Sequence, residues 1–235
     1  LVVDNKNDAP TVDAGIADMA LFEDTSYSFG VPADAFDDVD VGTSLTYTAE
    51  LADGSKLPTW LTFDGTTFSG TPLNDHVGAI DITVTASDGE FSVADTFNLK
   101  VINTNDAPVV SGEVVSDKDE GDAAYDLDLL AGASDVDTGE TATLSVDNVT
   151  YAVDGAASSS DLPAGVTRAG ATLTVDPANA AFNTLAAGET QEIVVSYDVE
   201  DVNGASVSQT ATITVTGTND APVVSAALVS TKDEG

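Results

Sequence analysis

Short runs of alternating polar and apolar residues recur along the chain, separated by Gly, Asp and Asn. A period of two predicts half-buried β-strands. Ser26-Tyr27-Ser28-Phe29, Leu45-Thr46-Tyr47-Thr48-Ala49 and Ile80-Asp81-Ile82-Thr83-Val84-Thr85-Ala86 alternate in this way, and residues 91–101 close the series. Asp64-Gly65, between Leu61-Thr62-Phe63 and Thr67-Phe68, predicts a hairpin, and Asp53-Gly54 and Asp88-Gly89 mark further turns. A second series follows. Residues 109–115 predict its first strand; Ala123, Tyr125, Leu127 and Leu129 alternate with acidic or small residues; residues 141–153 read as one long strand or a bent pair. Residues 166–175 predict a hairpin around Ala169-Gly170, Asp176-Pro177 opens a short helical turn through Phe182, and residues 193–199 and 207–215 are the closing strands. Residues 156–160 form a small-residue loop, and no stretch has the pattern of a long helix.

The two series are punctuated by one tetrapeptide. Asn-Asp-Ala-Pro stands at residues 7–10, 105–108 and 219–222. Proline has a fixed φ and no N–H to give to a ladder, so it suits a chain leaving one sheet for the next. The spacing of roughly a hundred residues is that of an immunoglobulin-like sandwich. Residues 1–10 align with 99–108, and residues 221–235 repeat 107–121, both beginning Ala-Pro-Val-Val-Ser and ending Lys-Asp-Glu-Gly. The expected organisation is therefore the tail of a preceding module (1–8), two β-sandwich modules (9–105 and 106–220) and the first strand of a truncated third (221–235). The sequence reads as an excised piece that begins and ends inside a repeat. Each full module is expected to be all-β with about seven strands, the pair forming an elongated rod.

Charge changes the picture. Lys+Arg number 6 against Asp+Glu 41, a net charge of -35, so nucleic acid and anionic membrane surfaces are repelled. The same charge opposes compaction unless something neutralises part of it, and divalent cations would do so. With no cysteine, thiolate metal sites and disulfides are ruled out. No apolar run is long enough to span a bilayer, so membrane insertion is not expected. Asn and Asp oxygens beside the recurring prolines suit a hard cation, calcium before others. Trp60, the one Trp, lies in an apolar run and is expected to be largely buried. His76, the one His, has no triad partners nearby, and Asn148-Val149-Thr150 is a chance glycosylation triplet. Carboxylates grouped at junctions rather than in a cleft do not suggest an enzyme.

Longer runs carry a family resemblance. Leu57-Pro58-Thr59-Trp60-Leu61, Phe63-Asp64, Phe68-Ser69-Gly70-Thr71-Pro72 and Val84-Thr85-Ala86-Ser87-Asp88-Gly89 make the first module resemble a dystroglycan-type cadherin-like (CADG) domain. The second resembles the VCBS repeat through Leu129-Leu130-Ala131-Gly132-Ala133-Ser134-Asp135-Val136-Asp137, Leu185-Ala186-Ala187-Gly188-Glu189 and Thr212-Ile213-Thr214-Val215-Thr216-Gly217-Thr218-Asn219-Asp220-Ala221-Pro222. Together the resemblances cover nearly the whole chain. They imply tandem Ig/cadherin-like Greek-key sandwiches from a large bacterial surface adhesin of the RTX type, although the Gly-Gly-x-Gly-x-Asp repeats themselves do not occur in this sequence.

The resemblance to cadherins also implies a calcium-ligand set. A Glu precedes the second strand of each module: Glu23, Glu120 and, in the stub, Glu234. An Asp-x-Asp follows that strand at Asp38-Val39-Asp40 and Asp135-Val136-Asp137, and an Asp closes the penultimate strand at Asp88 and Asp201. The central linker supplies Asn103, Asn105 and Asp106, and Asn74-Asp75 stands where cadherins carry Asp-Arg-Glu, a partial match that adds Asp75. Asn5, Asn7 and Asp8 would serve the N-terminal junction, and Asn219 and Asp220 the C-terminal one, where Gly217 replaces Asn103. Most acidic residues in so acidic a chain simply solvate loops, and Asp95 and Glu140 are placed in that class. The set above is singled out because the same residue types recur at the same place in both modules.

The expected function is a Ca2+-dependent extender or adhesion segment, outside the cell at a bacterial surface, with calcium stiffening the linkers. Its partners would be neighbouring modules of the same chain and extracellular glycans or proteins. The rival is a carbohydrate-binding cadherin-like module of a secreted protein, which an exposed aromatic patch around Trp60, Tyr47 and Tyr27 would favour.

Overall fold

The computed structural model of the chain describes residues 6–221. Asn5, Glu234 and the strand expected after Ala221 lie outside the described residues. The chain divides into two compact units, Leu1–Asn105 and Asp106–Gly235. Both are all-β.

The first unit contains β1 (Thr11–Val12), β2 (Met19–Phe22), β3 (Tyr27–Gly30), β4 (Phe36–Asp37), β5 (Thr46–Leu51), β6 (Leu61–Phe63), β7 (Thr67–Gly70), β8 (Gly78–Ser87) and β9 (Ser92–Ile102). One sheet has the order β2-β9-β8-β5 and the other β3-β7-β6, while β1 pairs with β4. All pairings are antiparallel except β2 with β9, which is parallel. The alternation read from the sequence puts Ile82, Val84 and Ala86 of β8 and Phe97 and Leu99 of β9 on one face. They meet Leu61 of β6, Phe68 of β7 and the partly buried Tyr27 and Phe29 of β3 in a single core. The Phe68 ring meets Phe97 edge-on across the two sheets, with centroids 5.9 Å apart.

The second unit repeats the plan strand for strand: β10 (Val109–Val110), β11 (Val114–Asp119), β12 (Tyr125–Asp128), β13 (Ala133–Ser134), β14 (Ser145–Val153), β15 (Val166–Ala169), β16 (Thr172–Val175), β17 (Thr190–Glu200) and β18 (Ser206–Thr216). Its sheets are β11-β18-β17-β14 and β12-β16-β15, with the pair β10-β13, and β11 runs parallel to β18. Ile193, Val195, Tyr197 and Val199 of β17 and Ala211, Ile213 and Val215 of β18 pack against Val166, Leu173 and Val175 of the opposite sheet.

The hairpins at Asp64-Gly65 and Ala169-Gly170 form where the turn residues place them. Other expectations need correction. Each described unit has nine strands rather than about seven, because each adds a separate pair of two-residue strands, β1-β4 in the first and β10-β13 in the second. The strand expected over residues 109–115 breaks at Gly112, which has φ 157°, into β10 and β11. The expected strand over 141–153 starts instead with a 3-10 turn, Glu140–Thr143, and β14 carries a bulge between Asp147 and Thr150. Asn148 takes φ 52° there, which asparagine tolerates. The segment from Asp176 to Leu185 is a succession of four-residue turns (Asn179 N–H to Asp176 O, Phe182 N–H to Asn179 O, Leu185 N–H to Phe182 O) and not a continuous helical turn. Phe182 is fully buried, so a core anchor holds this segment rather than helical hydrogen bonding.

Trp60 is half-buried, as are Tyr27 and Tyr47, so none of the three is sealed in the core. A 3-10 turn, Asn74–His76, explains the half-burial. It brings the His76 ring within 5.5 Å of the Trp60 ring and covers one face of the indole.

Candidate metal centres

The parallel pairing of β2 with β9, and of β11 with β18, carries each Glu to the end of its unit. The ladder runs one residue further in both: Glu23 N–H donates to Ile102 O at 3.1 Å, and Glu120 N–H to Thr216 O at 2.8 Å. The side chains then turn inward, 1% and 7% exposed. Oε1 of Glu23 accepts the Thr104 N–H at 2.7 Å, and Oε2 of Glu120 accepts the Thr218 N–H at 3.1 Å.

The Asp-x-Asp motifs are equally alike. Each first Asp accepts the N–H two residues on: Asp40 N–H to Asp38 Oδ1 and Asp137 N–H to Asp135 Oδ1, both at 2.8 Å. Such local side-chain bonds are what Asp favours in turns. Each second Asp accepts the N–H of the linker Asp on Oδ2, from Asp8 to Asp40 at 2.7 Å and from Asp106 to Asp137 at 2.9 Å. The Asp at the end of the penultimate strand caps the following hairpin with Oδ1. Asp88 accepts from Glu90 and Phe91, and Asp201 from Asn203 and Ala205. The N–H groups of Phe91 and Glu90, with a bond from Asn7 Nδ2, hold the Asp88 carboxyl below the usual carboxylate range.

In three of these Asp residues one carboxylate oxygen is fixed by a backbone N–H and the other is left over, and Glu140 Oε2 joins them. Asp38 Oδ2, Asp135 Oδ2, Asp137 Oδ1 and Glu140 Oε2 are buried with no hydrogen-bond partner. Burying such an oxygen unpaired is costly. Asp137 is only 3% exposed.

Glu140, assigned to loop solvation from the sequence, belongs to this group. Asp135, Glu140 and Asp201 each present an oxygen within 4.8 Å of the others. Gly139, at φ 90°, turns the chain into the Glu140–Thr143 turn, and Asn203 Nδ2 donates to Glu140 Oε1 at 2.8 Å. Desolvation, then the neighbouring Asp137 charge, raise the Glu140 carboxyl above its ordinary value; Asp201 and Asp135 add to this, and the Asn203 bond opposes it. The one signal that could have found it is its place three residues beyond the Asp-x-Asp, behind a Gly.

The other expected ligands are placed as follows. The Asp75 side chain is 80% exposed, with His76 Nε2 at 3.4 Å, and it belongs to no carboxylate cluster among the described residues. Asn103, Asn105, Asn219 and Asp220 are exposed. Asn103 Nδ2 donates to Thr104 O at 3.5 Å and Asn219 Nδ2 to Asp220 O at 3.3 Å. Gly217 is buried where Asn103 is exposed, because a Cβ there would lie 2.4 Å from Ala186 O and 2.7 Å from Leu185 Cβ.

The donor chemistry fits calcium: all-oxygen, mostly carboxylate, several oxygens lacking a partner. Asp135 and Asp201 would take part in holding the ion in the second unit; among the described residues Asp38, Asp40 and Asp88 do not converge into a group of three carboxylates within reach of one ion. When bound, the ion supplies positive charge and six to eight coordination positions.

Comparison with known proteins fits the fold. Residues 9–102 match the He_PIG family, "Putative Ig domain". No curated protein matches the chain. Among solved structures, human protocadherin-24 EC1-2 is similar at 17% identity and TM-score 0.50, over 92% of this chain and 100% of that one. Mouse clustered PcdhgC3 EC1-3 gives 16% identity and TM-score 0.48, over 90% of this chain and 68% of that one. An endo-fucoidan hydrolase from glycoside hydrolase family 107 gives 21% identity and TM-score 0.37 over 90% of this chain, which spans 29% of the hydrolase's length. The protocadherin-24 likeness establishes an Ig/cadherin-like fold and nothing further. No helix among the described residues is long and apolar enough to cross a membrane.

Proposed function

We propose that the chain is a calcium-dependent extender or adhesion segment of a large repetitive bacterial surface adhesin, lying outside the cell, with a CADG-type module followed by a VCBS-type one. The observation that carries this is the repeated hydrogen-bond scheme. In both units the linker Asp N–H is clamped by the second Asp of Asp-x-Asp, while the partner oxygens of Asp38, Asp135 and Asp137 are buried and unsatisfied. Calcium satisfies those oxygens, neutralises part of the charge and ties the linker residue to the module that follows it. The linker then stiffens, and a chain of such modules extends from the surface.

The test is small-angle X-ray scattering with calcium and then with chelator, alongside calorimetry. Chelator should raise flexibility and blur the maximum dimension while leaving the β-structure intact, since both cores are complete without metal. An unchanged scattering curve together with no heat of calcium binding would sink the extender reading.

A second reading, carbohydrate binding by the first unit, is favoured by one observation. Trp60 lines a cleft of about 310 Å³ with Pro58, Asp75 and His76 in its walls. Quenching or a shift of Trp60 fluorescence by glycans, independent of calcium, would support it.

A further inference from the structure

We propose that Glu140 is a direct ligand of a divalent cation held wholly within the second unit by Asp135, Asp137, Glu140 and Asp201. This deepens the calcium reading above and rests on it. The carboxylate cluster of Asp135, Glu140 and Asp201 would be weak ground alone. The independent observation is Asp137, 3% exposed, whose Oδ1 has no hydrogen-bond partner. It lies against the cluster: its carbonyl accepts the Glu140 N–H at 3.1 Å, and its own N–H donates to Asp135 Oδ1 at 2.8 Å. Asp135 Oδ2 and Glu140 Oε2 are likewise buried and unpartnered, so this one loop carries three orphaned carboxylate oxygens. A cation held at the Asp135, Glu140 and Asp201 oxygens would satisfy carboxylates that hydrogen bonding leaves over.

Asn203 Nδ2 fixes Glu140 Oε1 and its backbone N–H fixes Asp201 Oδ1, orienting two carboxylates from one residue. The first unit shows that this is a property of the second and not of the repeated plan. Thr43 N–H donates to Asp40 O at 3.2 Å, the counterpart of Glu140 N–H to Asp137 O, so Thr43 occupies the same turn position with no carboxylate. A site built from several carboxylates favours calcium, which takes more oxygens than magnesium and accepts irregular geometry.

The test uses the full chain and calcium chloride. Isothermal titration calorimetry and thermal melts are recorded for the native chain, for Glu140→Gln and for Glu192→Gln, an exposed strand residue that controls for one unit of net charge. Gln keeps the shape and the acceptor for Asn203. Glu140→Gln should weaken one class of site by about tenfold or more and leave the remaining sites as they were. Its calcium-free melting temperature should rise, because one repelling charge is gone, while the calcium-induced increase shrinks. A merely structural Glu140 would instead lower the calcium-free melting temperature. Native-like calcium affinity and stoichiometry in Glu140→Gln would overturn this inference and leave the extender reading standing. Absence of calcium binding in all three proteins would overturn both.

Discussion

The N–H of Asp106 donates to Oδ2 of Asp137 at 2.9 Å, and that single bond seats the start of the second unit on its Asp-x-Asp loop. Asp8 and Asp40 make the same bond in the first unit. In Asp137 the bond uses one carboxylate oxygen and leaves the other buried without a partner. In Asp137→Asn the amide oxygen can still accept from Asp106, but a charge is lost. The expected outcome is a higher melting temperature without calcium and loss of a calcium site in calorimetry. Trp60 lies in the first unit, so its fluorescence melt should not move.

Tyr197 gives the second unit an alkaline limit. Its hydroxyl donates to Leu129 O at 2.8 Å inside the core, and burial pushes the phenol up to about 12. The folded state therefore keeps this proton to higher pH than the unfolded chain. Unfolding releases it between the ordinary phenol range and about 12, so stability falls as pH rises through that window. Urea titrations followed by circular dichroism should show the fall in the native chain and a flatter profile in Tyr197→Phe. The Phe variant should also lose about 1 kcal/mol near neutral pH from the missing bond.

Half-burial sets the cost at Trp60. Truncation to Ala should destabilise the first unit by about 2 kcal/mol, below the usual range for a fully buried aromatic. Gly70→Ala should cost more, about 3 kcal/mol or greater. Its Cβ would fall 2.0 Å from the Trp60 carbonyl oxygen, which is backbone and cannot swing away. Denaturant midpoints read by Trp60 fluorescence rank the two, and a Gly70→Ala protein as stable as native would show that the β6–β7 hairpin sits elsewhere.

Gly217 cannot be turned into a ligand position. Gly217→Asn would restore the residue type found at Asn103, yet it would press on Ala186 O and Leu185 Cβ. Calorimetry should show no gained calcium site, and the second unit should lose about 2 kcal/mol or more. A gained site at native stability would count against the close packing of residues 185–189 on Gly217.

The sequence by itself determined the strands, the tight turns and the acidic motifs, because each depends on neighbours within a few residues. Period-two alternation decides which face of β8 or β17 is apolar. The bonds from Asp40 to Asp38 and from Asp137 to Asp135 span two residues and follow from Asp chemistry in a turn. Tertiary structure decided what depends on distant partners. Glu140 looks like any exposed acid until the β14–β17 pairing and the hairpin after Asp201 bring Asn203 and Asp201 to it, 63 and 61 residues away in sequence. Trp60 looks like a core residue until the turn at Asn74–His76 sets the His76 ring beside the indole and both rings line a cleft. Gly217 looks like a lost ligand until the segment at 185–189 occupies the space a side chain would need. Alternation and turn chemistry are local, whereas burial and the convergence of charges are set by packing across the sandwich.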